Sequence, residues 1–517
     1  MNRRRRPNVS KPLGLSTFTR WRLRAALFLA GAVVMALGIL GTRIIGPHFG
    51  AGLFVGTSLI SVAMLSLALG YWLGGQIVDR RPSRLLFCGV LFLAAGVVAG
   101  IPWWSAPVME LGWKFGLRGG SLFAATCLLL PPLVLLGMAS PIAVRLEAGE
   151  VGQSGRSAGR IHAIPMAGAA VGAVLAGFLL LPSFRVPTVL AILAGTLAVA
   201  AVLASGPGHK KQRSIPLLLI FLAGIALTSP KPRPSGLLAA ASSGAADLRV
   251  IQHEGSRYLF MDRAIQTTVN ARGRSEEKYL YFLASRLLLA RPRTRSAALV
   301  GLAGGGIIPL LREHDIAVDC VDPSAQALQL ARTFFGLSLP ASQTHAIDGR
   351  VFLKTHPARF DSVILDVFTG ERISPQLASL QGLATAKDAL TPDGLLVLNT
   401  WALDEKRRVP TPSGEAIYST LRQVFRHVLV VPTAENLLFF ASDEPIQPQQ
   451  SSVMLTAFDL PRHFTWLPVP SFPWPATPAI TDDFNPLEAL DAPALEALRP
   501  AFRSIYPASV RDALVWE

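Results

Sequence analysis

The chain has 517 residues, enough for several domains, and its 51% hydrophobic content and mean hydropathy of +0.42 exceed ordinary globular usage. Charge divides unevenly: residues 1–231 carry 22 basic and 4 acidic residues, an excess of +18, whereas residues 232–517 carry 27 and 29, an excess of −2. Despite a pI near 10.4, the basic residues of the first part fall between apolar runs, as membrane topology signals do, which argues against a nucleic-acid partner.

After a basic tail at 1–24, seven apolar runs within 25–230 read as a polytopic all-α membrane bundle: 25–45, 53–78, 85–104, 121–144, 161–181, 186–204 and 215–229. Alternate linkers hold Arg3 to Arg6 with Arg20, Arg22 and Arg24, then Arg80, Arg81 and Arg84, then Arg145, Arg156 and Arg160, then Lys210, Lys211 and Arg213. The positive-inside rule therefore expects a cytoplasmic N-terminus, and seven crossings place the C-terminal half outside the cell. The seventh run has about 15 residues, short of the ~17–25 that usually span, and with the basic residues before it also has a signal-peptide layout. Cys88, Cys127 and Cys320 imply no disulfide framework. Gly70, Gly74 and Gly75, with Gly168, Gly172 and Gly177, have spacings that suit close helix packing. The stretch 75–84 is similar to a cytoplasmic loop motif of major-facilitator transporters, but no acidic residue lies mid-span, where coupled transporters place ionisable groups. Arg43 and His48 read as interfacial anchors.

Residues 231–246, rich in Pro, Ser, Gly and Ala, read as a linker. Short strands at 248–253, 258–262 and 265–269 form a small β-meander within 247–275, followed by a helix at 276–289. Strands and helices then alternate through 395–399, 417–425, 428–431 and 437–441, giving an α/β Rossmann-like domain over 276–441; a Pro/Trp-rich extension follows at 442–517. The apolar strand at 297–300 runs into Gly301, Gly304, Gly305 and Gly306, which lets backbone approach a nucleotide closely. Later strands end at Asp322, at Asp348 followed by Gly349, and at Asp366, where doubly wound sheets bind ligands. Asp322 and Asp348 are equally placed to cap the helices after them. Tyr279 and Tyr281 cannot share a helix face, so at most one reaches the cleft. His314, His345, His356 and His427 lack metal-ligand spacing, and no metal is expected.

On these residues the chain resembles the membrane-fused spermidine synthase-like (polyamine aminopropyltransferase) family, a multi-pass region followed by a class I methyltransferase-type domain. The resemblance rests on Met-Asp-Arg-Ala-Ile-Gln-Thr-Thr at 261–268, the glycine loop at 301–306, Asp322-Pro323 with Ala-Arg-Thr-Phe-Phe-Gly at 331–336, Asp-Gly-Arg-Val-Phe-Leu at 348–353 and Phe-Asp-Ser-Val-Ile-Leu-Asp at 360–366. Residues 160–182 and Thr-Asp-Asp-Phe-Asn-Pro at 481–486 also look like the fused form.

The resemblance implies a transferase that moves an aminopropyl group from decarboxylated S-adenosylmethionine to an amine such as putrescine, with no tightly bound cofactor. By the same resemblance Asp366 is the catalytic acid; Gly301, Gly304, Gly305, Gly306, Asp322, Asp348, Gly349 and Gln266 hold the nucleotide; and Tyr279 and Glu371 face the amine. Three family acids are replaced: Ile307 follows the glycines, Cys320 stands at the ribose-binding glutamate, leaving Asp322 or Asp319 for that role, and Thr369 stands at the second acid of the catalytic loop. Two other readings remain: a methyltransferase-like enzyme using S-adenosylmethionine, and a degenerate nucleoside- or polyamine-binding domain that regulates a transporter-like membrane half. The expected partners are a small amine and the lipid bilayer, with homo-oligomerisation left open.

Overall fold

A computed structural model describes residues 17–50, 52–80, 82–147, 154–205, 234–242, 247–262, 264–369, 372–404, 409–433, 436–446, 472–493 and 510. The seventh apolar run, both ends of the linker, Glu371 and most of 442–471 lie outside them. The chain divides into two units, Met1–Lys231 and Pro232–Trp516.

In the first unit the six described apolar runs are helices: α1 Thr17–Phe49, α2 Leu53–Arg80, α3 Arg84–Gly112, α4 Gly116–Glu147, α5 Ser154–Leu175 and α6 Val186–Ser205. Among the described residues five stretches are long and apolar enough to cross a membrane, Arg20–Phe49, Leu53–Arg80, Arg84–Glu147, Ile161–Leu180 and Val186–Ser205. The third holds both α3 and α4, joined by a turn in which Gly116 takes a φ of 70°.

Small residues set the helix contacts, because apolar helices in lipid gain from close backbone approach rather than from leaving water. A Cβ on Gly70 would strike the Val134 carbonyl of α4, and one on Gly74 would lie 2.7 Å from Met138 Cα. Gly168 and Gly172 of α5 press in the same way on the backbone of Phe28 and Ala32 in α1. Gly75 and Gly177 depart from the packing expectation: a Cβ on either meets nothing within 4 Å, because each points away from the neighbouring helix.

One end of the bundle is polar. Arg24 Nε and Nη2 donate to Glu147 Oε1 and Oε2, both at 3.0 Å, and Arg22 Nη2 donates to the Val202 carbonyl. The start of α1 and the ends of α4 and α6 therefore lie together. The Glu147 side chain is only 6% exposed and is met by both prongs of the Arg24 fork.

The second unit begins with a four-stranded antiparallel meander in sequential order, β1 Leu237–Ser242, β2 Asp247–His253, β3 Ser256–Met261 and β4 Ala264–Val269. Glu254 and Gly255, with φ of 49° and 85°, form the two-residue turn that pairs His253 with Ser256. The strand β1 lies in the stretch read as linker, since Leu-Leu-Ala-Ala-Ala-Ser has no alternation to mark it and only pairing with β2 makes it a strand.

After α7 Lys278–Ala290 comes a seven-stranded sheet of β5 Ser296–Val300, β6 Ala317–Val321, β7 Thr344–His345, β8 Phe360–Leu365, β9 Leu390–Thr400, β10 His427–Pro432 and β11 Leu437–Ser442. Their order is β10-β11-β9-β8-β5-β6-β7, with β11 antiparallel to its two neighbours. This is the class I methyltransferase-type, Rossmann-like arrangement. The strands read as continuous apolar runs because helices cover both faces. On one face Leu283, Leu287 and Leu311 pack, and on the other Phe352, Phe360 and Leu421. The covering helices include α8 Ile307–Arg312, α9 Ala325–Phe334, α10 Gly349–Lys354, α11 Leu380–Asp388 and α12 Pro412–Val424.

Residues 472–493 clip back onto this domain. Leu380 N donates to the Ile480 carbonyl at 2.7 Å, Ile480 N donates to Thr420 Oγ1, and Ile480 is fully buried. Arg350 grips Asp482 through Nη1 and Nη2 at 3.0 and 2.8 Å, and Ser379 Oγ donates to the same carboxylate at 2.6 Å. Those bonds hold Asp482 below the usual carboxylate range.

Replacing Arg24 with Ala leaves the Glu147 carboxylate buried and unpaired, at a cost of about 1–3 kcal/mol. Thermal unfolding of the full chain in detergent should show a lower melting temperature for Arg24→Ala, with Arg24→Lys intermediate.

Candidate active site

The sheet's order reverses between β5 and β8, so the carboxyl ends of these two strands border the crevice in which doubly wound sheets take ligands. Gly301 follows β5 with a φ of 91°, and a Cβ there would collide with the Asp366 carbonyl. Glycine is therefore what lets the two strand ends meet. Gly304 and Gly305 both have φ of 77°, and a Cβ on Gly304 would strike the Thr267 side chain of β4. On Gly306 it would crowd Leu280 and Ser275, at 2.9 and 3.1 Å. The meander and α7 thus wall the glycine loop on one side. The Thr267 hydroxyl, buried there, makes no hydrogen bond among the described residues.

Asp366 is 4% exposed. Tyr279 Oη donates to its Oδ2 at 2.9 Å, and Asn399 Nδ2, near the end of β9, donates to its Oδ1 at 2.8 Å. Asn399 is itself aimed by Asn436, whose Nδ2 donates to Asn399 Oδ1 at 2.9 Å. Thr433 and Asn436 bond to each other in the connection from β10 to β11, which fixes the far end of the relay. Burial pushes the Asp366 carboxyl above its ordinary pKa, and the two donated bonds oppose that rise. Burial, and then the Asp366 charge, raise the Tyr279 phenol well above its usual value, so it remains a neutral donor. Of the two tyrosines only Tyr279 reaches the acid; Tyr281 Oη donates to the Ser275 carbonyl.

The other acids are committed to backbone. Asp322 Oδ2 accepts from Leu302 N at 3.2 Å and Oδ1 from Ser324 N at 2.8 Å, so it braces the glycine loop against the turn after β6. Burial raises its carboxyl. Asp348 Oδ1 caps α10 by accepting from Arg350 N and Val351 N at 2.9 and 3.0 Å, while the residue itself is exposed. A Cβ on Gly349 would strike Val300, so glycine here seats α10 against β5. Gln266 is half-buried on β4, beside Thr267.

Asp319 does not reach the crevice. Its carboxylate takes His345 Nε2 at 2.8 Å and Arg359 Nη2 at 3.3 Å, and Arg359 precedes β8, at the opposite end of the sheet. Both of its oxygens are thus engaged. Cys320 is fully buried in the core, where burial pushes its thiol up to about 12, and Ile307 is likewise a core residue at the start of α8. Glu371 lies outside the described residues.

Sequence reasoning missed Asn399, Asn436 and Thr267. Asn399 carried a usable signal, a polar residue ending an apolar strand as Asp366 does. Asn436 carried none, because only the β10–β11 pairing brings it to Asn399.

No protein-family model matches the chain. It is 30% identical over 138 residues to the polyamine aminopropyltransferase of Vibrio vulnificus, covering 25% of this chain and 46% of that protein. The chain thus spans about half the length of that relative. To the polyamine aminopropyltransferase of Neisseria meningitidis serogroup A it is 26% identical over 180 residues, 34% of this chain and 68% of that one. The crystal structure of spermidine synthase from Thermotoga maritima overlies 44% of this chain and 86% of its own, at 16% identity and a TM-score of 0.35. In sequence, part of the second unit is thus similar to polyamine aminopropyltransferases.

Proposed function

We propose that the second unit is an aminopropyltransferase-like transferase using decarboxylated S-adenosylmethionine as donor and a small amine, such as putrescine, as acceptor. The observation that carries this is Asp366, buried at the switch point beside Gly301 and aimed by Tyr279 and Asn399. In this reading Gly301, Gly304, Gly305 and Gly306 take the nucleotide against backbone. Asp322 offers its unused lone pairs to the ribose, Asp348 its free oxygen to the adenine amino group, and Gln266 lines the same cleft. Glu371 joins Tyr279 on the amine side.

In the reaction, the amine nitrogen attacks the methylene carbon next to the sulfonium. The carbon–sulfur bond breaks, its electron pair neutralises the sulfur, and the amine sheds a proton. Each Asp366 oxygen already accepts one hydrogen bond and keeps a lone pair, enough to orient an incoming N–H and stabilise the ammonium that forms. With Ile307, Cys320 and Thr369 in place of acids, Asp366 meets the cationic acceptor with less carboxylate support than the soluble enzymes would supply.

Localisation is part of the proposal: a multi-pass protein of the cell membrane with a cytoplasmic N-terminus. The Arg22–Val202 bond joins the end of α6 to the start of α1, so a crossing at 215–229 would carry the second unit to the other side.

For the full chain in detergent, calorimetry should give micromolar binding of decarboxylated S-adenosylmethionine in preference to the intact form. Equal or reversed preference would favour the methyltransferase-like reading, and absence of binding the degenerate one. Asp366→Asn should lower turnover by about 10²–10⁴-fold while nucleotide binding stays near wild type; an unimpaired variant refutes the assignment.

Activity that needs the Asp366 carboxylate falls as pH drops through its raised pKa. Asn399→Ala removes a bond that favours the charged form, so the acidic limb of the pH–rate profile should move to higher pH. Reporter fusions should be active inside the cell after Ser205 and outside it after Ala246; activity inside at both points would mean that 215–229 does not cross.

A further inference from the structure

The polar end of the first unit holds a cavity of about 410 Å³ between α2, α4 and α5, lined by Tyr71, Gly75, Asp79, Pro141, Arg145 and His162 among others. Its charged groups sit at the ends of their helices and its apolar wall runs back along the spans. Asp79 and Arg145 approach only to 3.8 Å, through Arg145 Nε, and their side chains are 76% and 49% exposed. Both retain most of their hydrogen-bonding capacity. Across the cavity, His162 meets Tyr71 edge-on, with ring centroids 6.4 Å apart.

Gly75 is the second observation. Its neighbours on α2, Gly70 and Gly74, are needed for contact with α4, but Gly75 has nothing within 4 Å of its Cβ direction and opens into the cavity. Packing does not account for a glycine inside a helix here, whereas keeping the cavity open does.

Taking α2, α4 and α5 as membrane-spanning, we propose that this cavity binds the headgroup of an aminophospholipid, a phosphodiester bearing a primary ammonium. Arg145 takes the phosphate. Asp79 accepts from the ammonium, and the wall of Val78, Pro141 and Val144 takes the first carbons of the chains. A carboxylate and a guanidinium that share one cavity in a long, exposed ion pair complement the two charges of this zwitterion. A purely anionic headgroup would leave Asp79 repelled, and a quaternary ammonium offers it no N–H.

Native mass spectrometry of the full chain from detergent tests this, with phosphatidylethanolamine, phosphatidylcholine and phosphatidylglycerol of equal chain length added at equal concentration. One phosphatidylethanolamine should be retained at least about fivefold over either competitor. Arg145→Gln should cut that retention about tenfold, Asp79→Asn should abolish the preference over phosphatidylglycerol, and Gly75→Leu should exclude the lipid while leaving the melting temperature unchanged. Equal retention of all three lipids, or retention that survives both Arg145→Gln and Gly75→Leu, overturns the proposal. So does displacement by soluble phosphoethanolamine at matched concentration, which would assign the site to a diffusible ligand.

Discussion

A carboxylate withdrawn from water must be given donors in return, and meeting that demand at Asp366 organises the second unit. The donors come from α7 on one side and from β9 on the other, with Asn436 behind β9. Three separate parts of the fold are thereby fixed relative to one oxygen pair. Gly301 completes the arrangement, since any side chain there would push β5 away from the residue that β8 delivers. The acid's position is thus over-determined by backbone contact and side-chain bonds together.

The same economy runs through the other polar residues near the crevice. Asp322 joins the glycine loop to the turn after β6, Asp348 starts α10, and Asp482 ties α10 to the connection before α11. Each uses part of its hydrogen-bonding capacity to shape backbone and leaves part unused. A cleft lined in this way is rigid before any ligand arrives, which favours reactions that need positioning more than added charge.

Much of this was legible in the sequence because local pattern and fold agree. The apolar runs of the first unit, the glycine loop, and the acids at the ends of β6 and β8 all announce themselves by period or by punctuation. What stayed hidden depends on pairing between distant segments. Strand β1 has no alternation of its own, and Asn436 and Thr267 gain meaning only through β-sheet register. Of the two competing cap readings, Asp348 does cap α10, whereas α9 is capped by Ser324 and Asp322 instead holds the Leu302 and Ser324 amides. Gly75 was misread as a packing residue since spacing alone cannot tell which face of a helix is empty.

The return of residues 472–493 onto the nucleotide fold also has a consequence for biogenesis. Asp366 and the glycine loop leave the ribosome well before Ile480 and Asp482, so α10, α11 and the segment after β8 must wait for a late strand of chain to lock them. A chain that lacks the clasp lacks the Ile480 and Asp482 bonds to Leu380, Arg350 and Ser379, and quality-control proteases would meet these segments less firmly held. Substitutions in that distant stretch would therefore show themselves as low abundance of the protein before they show as impaired chemistry.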